Sequence, residues 1–414
     1  MHFNYYCIKD QPTKFFYTFI EQYEQMTGNR YCTRKHIFED KPKKKDKNVM
    51  FLQLEPATAF LHEEFPYWEH IQWGLDNNIE IFIDYSWEFT EAKLRPGIED
   101  QYFWYKYKDY LIENNIKIIS QYLESTDAQW PGKTHQDLRK IVHNVNLFEY
   151  NVRINHERNN IEWRINASPK EVSKKKYFLN FIPGEIRKYP ATLMLQALFN
   201  EIGKENIFYS TVLGDYFSKY MMTWDDLEFL WEQQIKWYSK EHQSLFLQCL
   251  KNQDNLHQHL PFEDQYNINS FDLNSKYNSS ERRIPMGVYD SKFSIVAEVS
   301  WSSHFYTEKT FKHIMAEQPF IISAGPGHNH GLKSLGYETY DDLFDFTWEP
   351  ERSPNSFVGQ DHNCIIDNVK RLWANQDLFD QPSVREKTQF NRHQLLRKTN
   401  VKAFEQELKK VLEL

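Results

Sequence analysis

The chain has 414 residues, 40% hydrophobic and 26% charged, enough for about two to three domains with real cores, and bulk disorder is excluded. The formal net charge of −8 disfavours a protein that wraps nucleic acid, since such binders displace counterions with a strong positive excess; nucleic acid stays open only through a local basic patch. Aromatic residues reach 16%, and an AT-rich codon bias does not account for twelve Trp among them, so the rings are either core material or platforms for flat ligands.

In chain order, Phe3–Ile8 is the first expected strand. The spacing of Phe15, Phe16, Phe19, Ile20 and Tyr23 predicts a helix over Lys14–Met26 that stops at Gly28. Lys41–Lys47 reads as a solvated charged loop, Val49–Leu54 as a buried strand ending at Glu55-Pro56, and Tyr67–Leu75 as helix. The strand Ile79–Asp84, the helix Gln101–Asn114 and the strand Ile116–Gln121 follow, and Leu147–Ile154 alternates like a further strand. A second series starts at Tyr177–Ile182, broken by Pro183-Gly184, with a helix over Pro190–Ile202 and a strand over Asn206–Leu213. Trp224–Leu250 reads as an aromatic helical stretch and 251–280 as an extended polar loop. Phe293–Val299 is expected as strand, Lys309–Glu317 as helix, Pro319–Ser323 as strand and His328–Leu335 as helix, with two closing helices over Cys364–Ala374 and Val401–Leu414.

Apolar strands alternating with amphipathic helices imply parallel sheets covered on both faces. The fold class expected is α/β: two Rossmann-like domains facing a cleft, residues 1–170 and 171–414, the second ending in the closing helices. Cys7, Cys32, Cys249 and Cys364 stand far apart without Cys-x-x-Cys spacing, so neither a disulfide framework nor a zinc ribbon is expected. Met1-His2-Phe3-Asn4 has no leader character and no apolar run of about 18 residues occurs. The expectation is a soluble, cytoplasmic protein with no membrane span.

The sharpest chemical signal lies in the C-terminal half. The segment Ser294-Ile295-Val296-Ala297-Glu298-Val299-Ser300 leads through a polar linker to Phe305-Tyr306-Thr307-Glu308-Lys309-Thr310, a helix, and Gln318-Pro319-Phe320-Ile321-Ile322-Ser323-Ala324-Gly325. Thr307 is placed to cap the helix, which puts Glu308 and Lys309 in its first turn. A helix N-terminus at the carboxyl end of a parallel strand offers free N–H groups and a favourable dipole to an anion. Lys309 can neutralise a diphosphate there, and Glu308 can accept from ribose hydroxyls. On spacing alone the plainer reading is favoured, with Glu308 a helix-start acid and Lys309 a surface charge.

This stretch resembles the nucleotide-binding box of the α1,3-fucosyltransferase-like glycosyltransferases, in which an acidic residue and a Ser on a strand precede an aromatic-x-Thr-Glu-Lys box. The matching residues are Glu298, Ser300, Phe305, Thr307, Glu308, Lys309, Pro319 and Gly325. The family's strand reads aromatic-Glu-Asn-Ser where this chain has Ala297-Glu298-Val299-Ser300, which bears on donor identity. The box also looks like that of phage and marine bacterial proteins with Glu-Lys-Thr followed by Gln-Pro-Phe. The resemblance spans roughly residues 176–345. It implies a two-Rossmann (GT-B-like) fold, a nucleoside-diphosphate sugar, GDP-linked, as donor, and Glu308 and Lys309 on ribose and diphosphate. It also implies a basic residue after the domain's first strand, here Arg187 with Lys188 as understudy. For Arg187, an exposed helix-start cation is an equally good reading.

Other candidates carry less. No Asp-x-Asp occurs in the chain, so charge neutralisation without a metal is expected, and no cofactor beyond the donor. In Gly325-Pro326-Gly327-His328-Asn329-His330-Gly331, a plain turn, a donor-site loop through Gly325 and Gly327, and a His-x-His metal pair stay open, the last lacking further ligands. Glu55, just after a strand of the first domain, is the first choice as the base that deprotonates a glycan acceptor, with Asp84 and Glu124 as fallbacks; a loop acid beside a Pro is as good a reading of Glu55. Trp68, Trp73 and Trp87 are either acceptor-side rings or core. Two alternatives stand beside the glycosyltransferase reading: transfer of a sugar to modified DNA bases, using Lys41–Lys47 and Lys174–Lys176, and a non-catalytic nucleotide- or glycan-binding module.

Overall fold

The computed structural model describes residues 2–8, 16–53, 67–84, 103–120, 140–145, 147–158, 172–185, 189–212, 240, 243–244, 284, 286–298, 306–324, 327–347, 349 and 358–413. The chain folds into two compact α/β units, Met1–Ile154 with Lys398–Leu414, and Asn155–Arg397. Among the described residues the first unit contains β1 (Phe3–Cys7), α1 (Phe16–Thr27), β2 (Cys32–His36), β3 (Asn48–Gln53), α2 (Trp68–Asp76), β4 (Glu80–Asp84), α3 (Phe103–Glu113), β5 (Lys117–Ser120), β6 (Val142–Asn144) and α4 (Leu147–Arg158). Its strands lie in the order β2-β1-β3-β4-β5-β6, every neighbouring pair parallel. Helical crossovers cover such a sheet on both faces, which is why β1 and most of β3 and β4 are buried without alternation.

Two strands have no apolar signature. The edge strand β2 reads Cys-Thr-Arg-Lys-His and is only partly buried, and β6 is three residues long. The Leu147–Ile154 segment, expected as strand, is the start of helix α4. Leu147, Phe148, Tyr150 and Val152 are all buried, so the apolar alternation read from the sequence does not separate a buried face from an exposed one. Past β2 the chain turns sharply. Ile37 N–H donates to Cys7 O (3.0 Å), Asp40 N–H to His36 O (3.0 Å), and His36 N–H to Asp40 Oδ2 (2.7 Å). The turn holds Phe38 at φ +68°, a left-handed conformation that costs a non-glycine residue about 1–2 kcal/mol.

The second unit contains β7 (Tyr177–Glu185), α5 (Tyr189–Ile202), β8 (Ile207–Val212), α6 (Met286–Asp290), β9 (Ser291–Ala297), α7 (Glu308–Met315), β10 (Phe320–Ser323), α8 (His328–Ser334), α9 (Val358–Ala374) and α10 (Pro382–Lys398). Its sheet runs β10-β9-β7-β8, again parallel throughout. Strand β7 does not end at Pro183-Gly184. It continues to Glu185 with its register against β8 shifted between Phe181 and Gly184, an irregularity that admits a Pro into a central strand. The core is aromatic: Phe293 stacks on Phe379 at 5.5 Å, and Phe178 meets Trp373 edge-on at 4.9 Å. Gly287 of α6 lets the helix close on β8, since a Cβ there would lie 1.7 Å from the Phe208 ring. The expected Trp224–Leu250 helix and 251–280 loop lie outside the described residues, apart from 240, 243 and 244.

The last helix, α11 (Val401–Val411), was expected to close the second domain; it belongs to the first unit. The reason is its apolar face. Phe404 stacks flat on Tyr23 at 3.8 Å and meets Tyr31 and Tyr150 edge-on, while Leu408 and Val411 are buried. Polar ties reinforce the docking: Tyr23 donates to Thr399 O (2.6 Å), Tyr31 to Glu405 Oε1 (3.0 Å), and Lys398 to Glu149 Oε1 (2.5 Å). The buried Lys117 ammonium pairs with both Glu80 and Glu413.

Candidate functional site

Strand β9 ends at Ala297, and Glu298 follows with its N–H donating to Ser323 O across to β10 (3.2 Å). This is the carboxyl edge of a parallel sheet, where α/β folds place ligands. The Glu298 side chain is fully buried, 0% exposed, and turns back onto the start of α7. Oε1 accepts from Thr307 N–H (3.0 Å), Thr310 N–H (3.3 Å) and the Thr310 hydroxyl (2.6 Å); Oε2 accepts from the Thr307 hydroxyl (2.7 Å). A buried carboxylate is tolerated only when so provided with donors. Thr307, in extended backbone, caps α7: its hydroxyl oxygen accepts from Lys309 N–H (3.3 Å) and from Lys309 Nζ (3.4 Å).

This arrangement differs from the expected one. The amides of Thr307, Lys309 and Thr310 are not free for an outside anion but bonded within the protein, and Glu298 already places a negative charge against the positive end of the helix. What the turn offers outward is Lys309. Its ammonium lies 3.4 Å from Glu308 Oε1, with side chains 34% and 11% exposed respectively. Glu298, expected from the sequence as a donor contact, has both carboxylate oxygens bonded to Thr307 and Thr310, and so holds the start of α7 in place.

Beneath the box the helix is anchored to the sheet. Burial drives the His313 pKa down to about 4, with the bond to Lys309 O opposing and nearby Lys312 adding to the shift. The neutral ring donates from Nδ1 to Lys309 O (2.7 Å), leaving Nε2 to face Asn180 Nδ2 at 3.5 Å, and Asn180 donates to Ser294 Oγ (2.9 Å). Asn180 Oδ1 has no hydrogen-bond partner among the described residues. A polar thread thus joins β7, β9 and α7 and fixes the carbonyl of Lys309.

The neighbouring helix α8 is tied to the same edge. Tyr306 donates to His328 O (2.6 Å). Asn329 pairs with both backbone groups of Ile322, and the buried Glu349 accepts from Asn329 N–H and Nδ2 and from His330 N–H and Nδ1, at 2.7–3.1 Å. The two histidines of the His-x-His motif part ways: His328 is buried against the Tyr306 ring, and His330 is held by Glu349. Gly327 takes φ +77° as the cap of α8, a turn role.

Of the residues singled out from the sequence, Glu298, Thr307, Glu308 and Lys309 are brought together, and Gly327 caps α8. Glu55, Arg187, Lys188, Ser300, Phe305 and Gly325 lie outside the described residues. Asp84 is buried at the end of β4. Thr310, His313, Asn180 and Glu349 were not singled out. Thr307 and Thr310 stand at cap spacing, which was a readable signal; Glu349, twenty residues from Asn329, left none.

No protein-family model matches the chain, and no curated protein matches it. Among solved structures, the crystal structure of an α1,3-fucosyltransferase is similar with a TM-score of 0.38 and 11% identity, over 100% of this chain and 90% of that one. A likeness so distant assigns no activity.

Proposed function

We propose that the chain is a glycosyltransferase that moves a sugar from a nucleoside-diphosphate donor, GDP-linked, to a hydroxyl of a glycan acceptor without a metal ion. The observation that carries the reading is the Thr307-Glu308-Lys309 turn at the carboxyl edge of β9, held in one geometry by four hydrogen bonds to a buried carboxylate. The resemblance of the box in sequence supports the donor class, and the absence of Asp-x-Asp supports charge neutralisation by side chains.

In this reading Lys309 donates to diphosphate oxygens and Glu308 accepts from ribose hydroxyls, while Glu298 and Thr310 preset the turn so that no reorganisation is needed on binding. Arg187, with Lys188, supplies a second cation, its planar fork suiting two phosphate oxygens; Ser300, Phe305 and Gly325 line the donor. The bond from the sugar's anomeric carbon to the diphosphate breaks, the new glycosidic bond forms, and the acceptor proton passes to a carboxylate, Glu55, two residues past β3 in sequence. The leaving diphosphate carries off the electron pair, its charge matched by Lys309 and Arg187. The test is release of free diphosphate nucleotide from GDP- and UDP-sugars, with water or added glycosides as acceptor. Release that depends on Lys309 supports the reading, and no release from any donor removes it.

A further inference from the structure

The carboxyl edge of the first unit carries a feature the donor box does not use. Phe38 is 54% exposed although apolar, and its left-handed φ of +68° is one that glycine or asparagine would adopt at less cost. The backbone cannot relax, because Ile37 is pinned to β1 and the His36–Asp40 turn is closed from both ends. One side of the ring is braced by α2, with His70 at 5.0 Å and Trp73 edge-on at 5.7 Å. Behind them stand Tyr67 against His70 and Tyr6 against Trp73. Burial lowers the pKa of His70, against the opposing charge of Glu69, so the brace is a neutral aromatic surface. The rest of the ring is exposed, and Glu39 and Lys41, close to it in sequence, are exposed as well.

That combination selects its occupant. One ring is far too small for a stable protein interface, which needs roughly 800 Å² on each partner, and an exposed acid at 39 so close in sequence does not suit lipid. A half-exposed ring held in place by α2 offers apolar surface of the size of the C–H face of one pyranose, whose hydroxyls suit the polar residues of the turn. We propose that Phe38, braced by His70 and Trp73, is a pyranose-stacking platform of the first unit that seats the acceptor sugar. The inference rests on the glycosyltransferase reading for the word acceptor. The platform itself stands on the geometry of the His36–Asp40 turn and α2.

The test uses the full chain and ligand-observed saturation-transfer NMR with methyl β-D-glucopyranoside, methyl β-D-galactopyranoside and methyl N-acetyl-β-D-glucosaminide as probes, in wild type, Phe38→Asn and Phe38→Tyr. Expected is transfer to the ring C–H protons of at least one glycoside, about fivefold weaker in Phe38→Asn and retained in Phe38→Tyr. Phe38→Asn should melt no lower than wild type, since Asn tolerates the left-handed turn; the loss of signal is then not a loss of fold. Equal transfer in Phe38→Asn, or none from any glycoside in wild type, overturns the platform. So does displacement of the glycoside by guanosine at the same ring, which makes it a base stack, or a change of oligomeric state on Phe38→Asn, which makes it a protein contact. GDP titrated into the same samples separates the two proposals: GDP binding without a Phe38-dependent glycoside signal removes the platform alone, and a glycoside signal without nucleotide binding removes the transferase reading alone.

Discussion

Replacing Glu298 by Gln tests whether the box is preset by that carboxylate. The substitution keeps size and removes one acceptor oxygen. The Thr307 hydroxyl has a single proton, now given to Glu298 Oε2, and its oxygen already accepts from Lys309 N–H and Nζ. A Gln amide turned toward it sets donor against donor. Turned the other way, the amide faces the two N–H groups and the Thr310 hydroxyl that Oε1 now serves. Either way at least one buried donor loses its acceptor, and a hydrogen bond to a charged group is worth about 1.5–3 kcal/mol. We expect a loss of about 3 kcal/mol, which for a unit of this size lowers Tm by roughly 6–12 °C. GDP affinity should fall about tenfold, or about 1.4 kcal/mol, as Lys309 loses its fixed geometry. Scanning calorimetry with and without GDP reads both. Melting within about 1 °C of wild type together with unchanged GDP affinity would refute the reasoning.

Three further outcomes follow from particular residues. His313 is held neutral by burial with its pKa near 4 against an ordinary 6.5, so the unfolded chain binds the extra proton first; stability is full above pH 6.5 and falls between 6.5 and about 4, by about 3 kcal/mol. Equilibrium denaturation across that window should show a slope that His313→Asn flattens, and an unaltered slope would exclude the residue as its source. Phe404→Ala removes a ring stacked on Tyr23 and should cost about 3–5 kcal/mol, while a chain ending at Asn400 should lose protection in β1 and β5 but not in β9, read by hydrogen exchange. Gly287→Ala, whose Cβ would enter the Phe208 ring, should lower expression of folded protein or shift Tm by several degrees; a normal melt would mean that α6 can move aside.

How much of this was legible depends on what each element buries. The strands β1, β3, β4 and β10 are apolar runs because helices cover both faces of their sheets, and the sequence shows them to within a residue at each end. Strand β9 lies two residues earlier than expected, and β7 runs three residues past Ile182, through the expected break at Pro183-Gly184. Strand β2 was missed because an edge strand keeps polar residues. Helix α10 was missed because its buried row is Val384, Thr388, Asn391 and Leu395, half of it polar: Asn391 bonds the backbone of Glu338 from inside the core. The cap at Thr307 was readable from local spacing. That Glu298 would consume the amides of the same turn was not, because a carboxylate's direction is decided by the strand end and helix start meeting in space. The docking of α11 on the first unit was hidden for the same reason: Phe404 shows an apolar face but not which sheet receives it.

The most direct measurement is a calorimetric titration of GDP into wild type and Lys309→Ala. Lys309 is one-third exposed, so removing it should leave the stability within about 0.5 kcal/mol of wild type and take away one charge-assisted contact, weakening GDP by about 10- to 100-fold. Equal affinity in the two proteins, or no heat with wild type at any concentration of GDP or UDP, would contradict the assignment of this turn to a diphosphate.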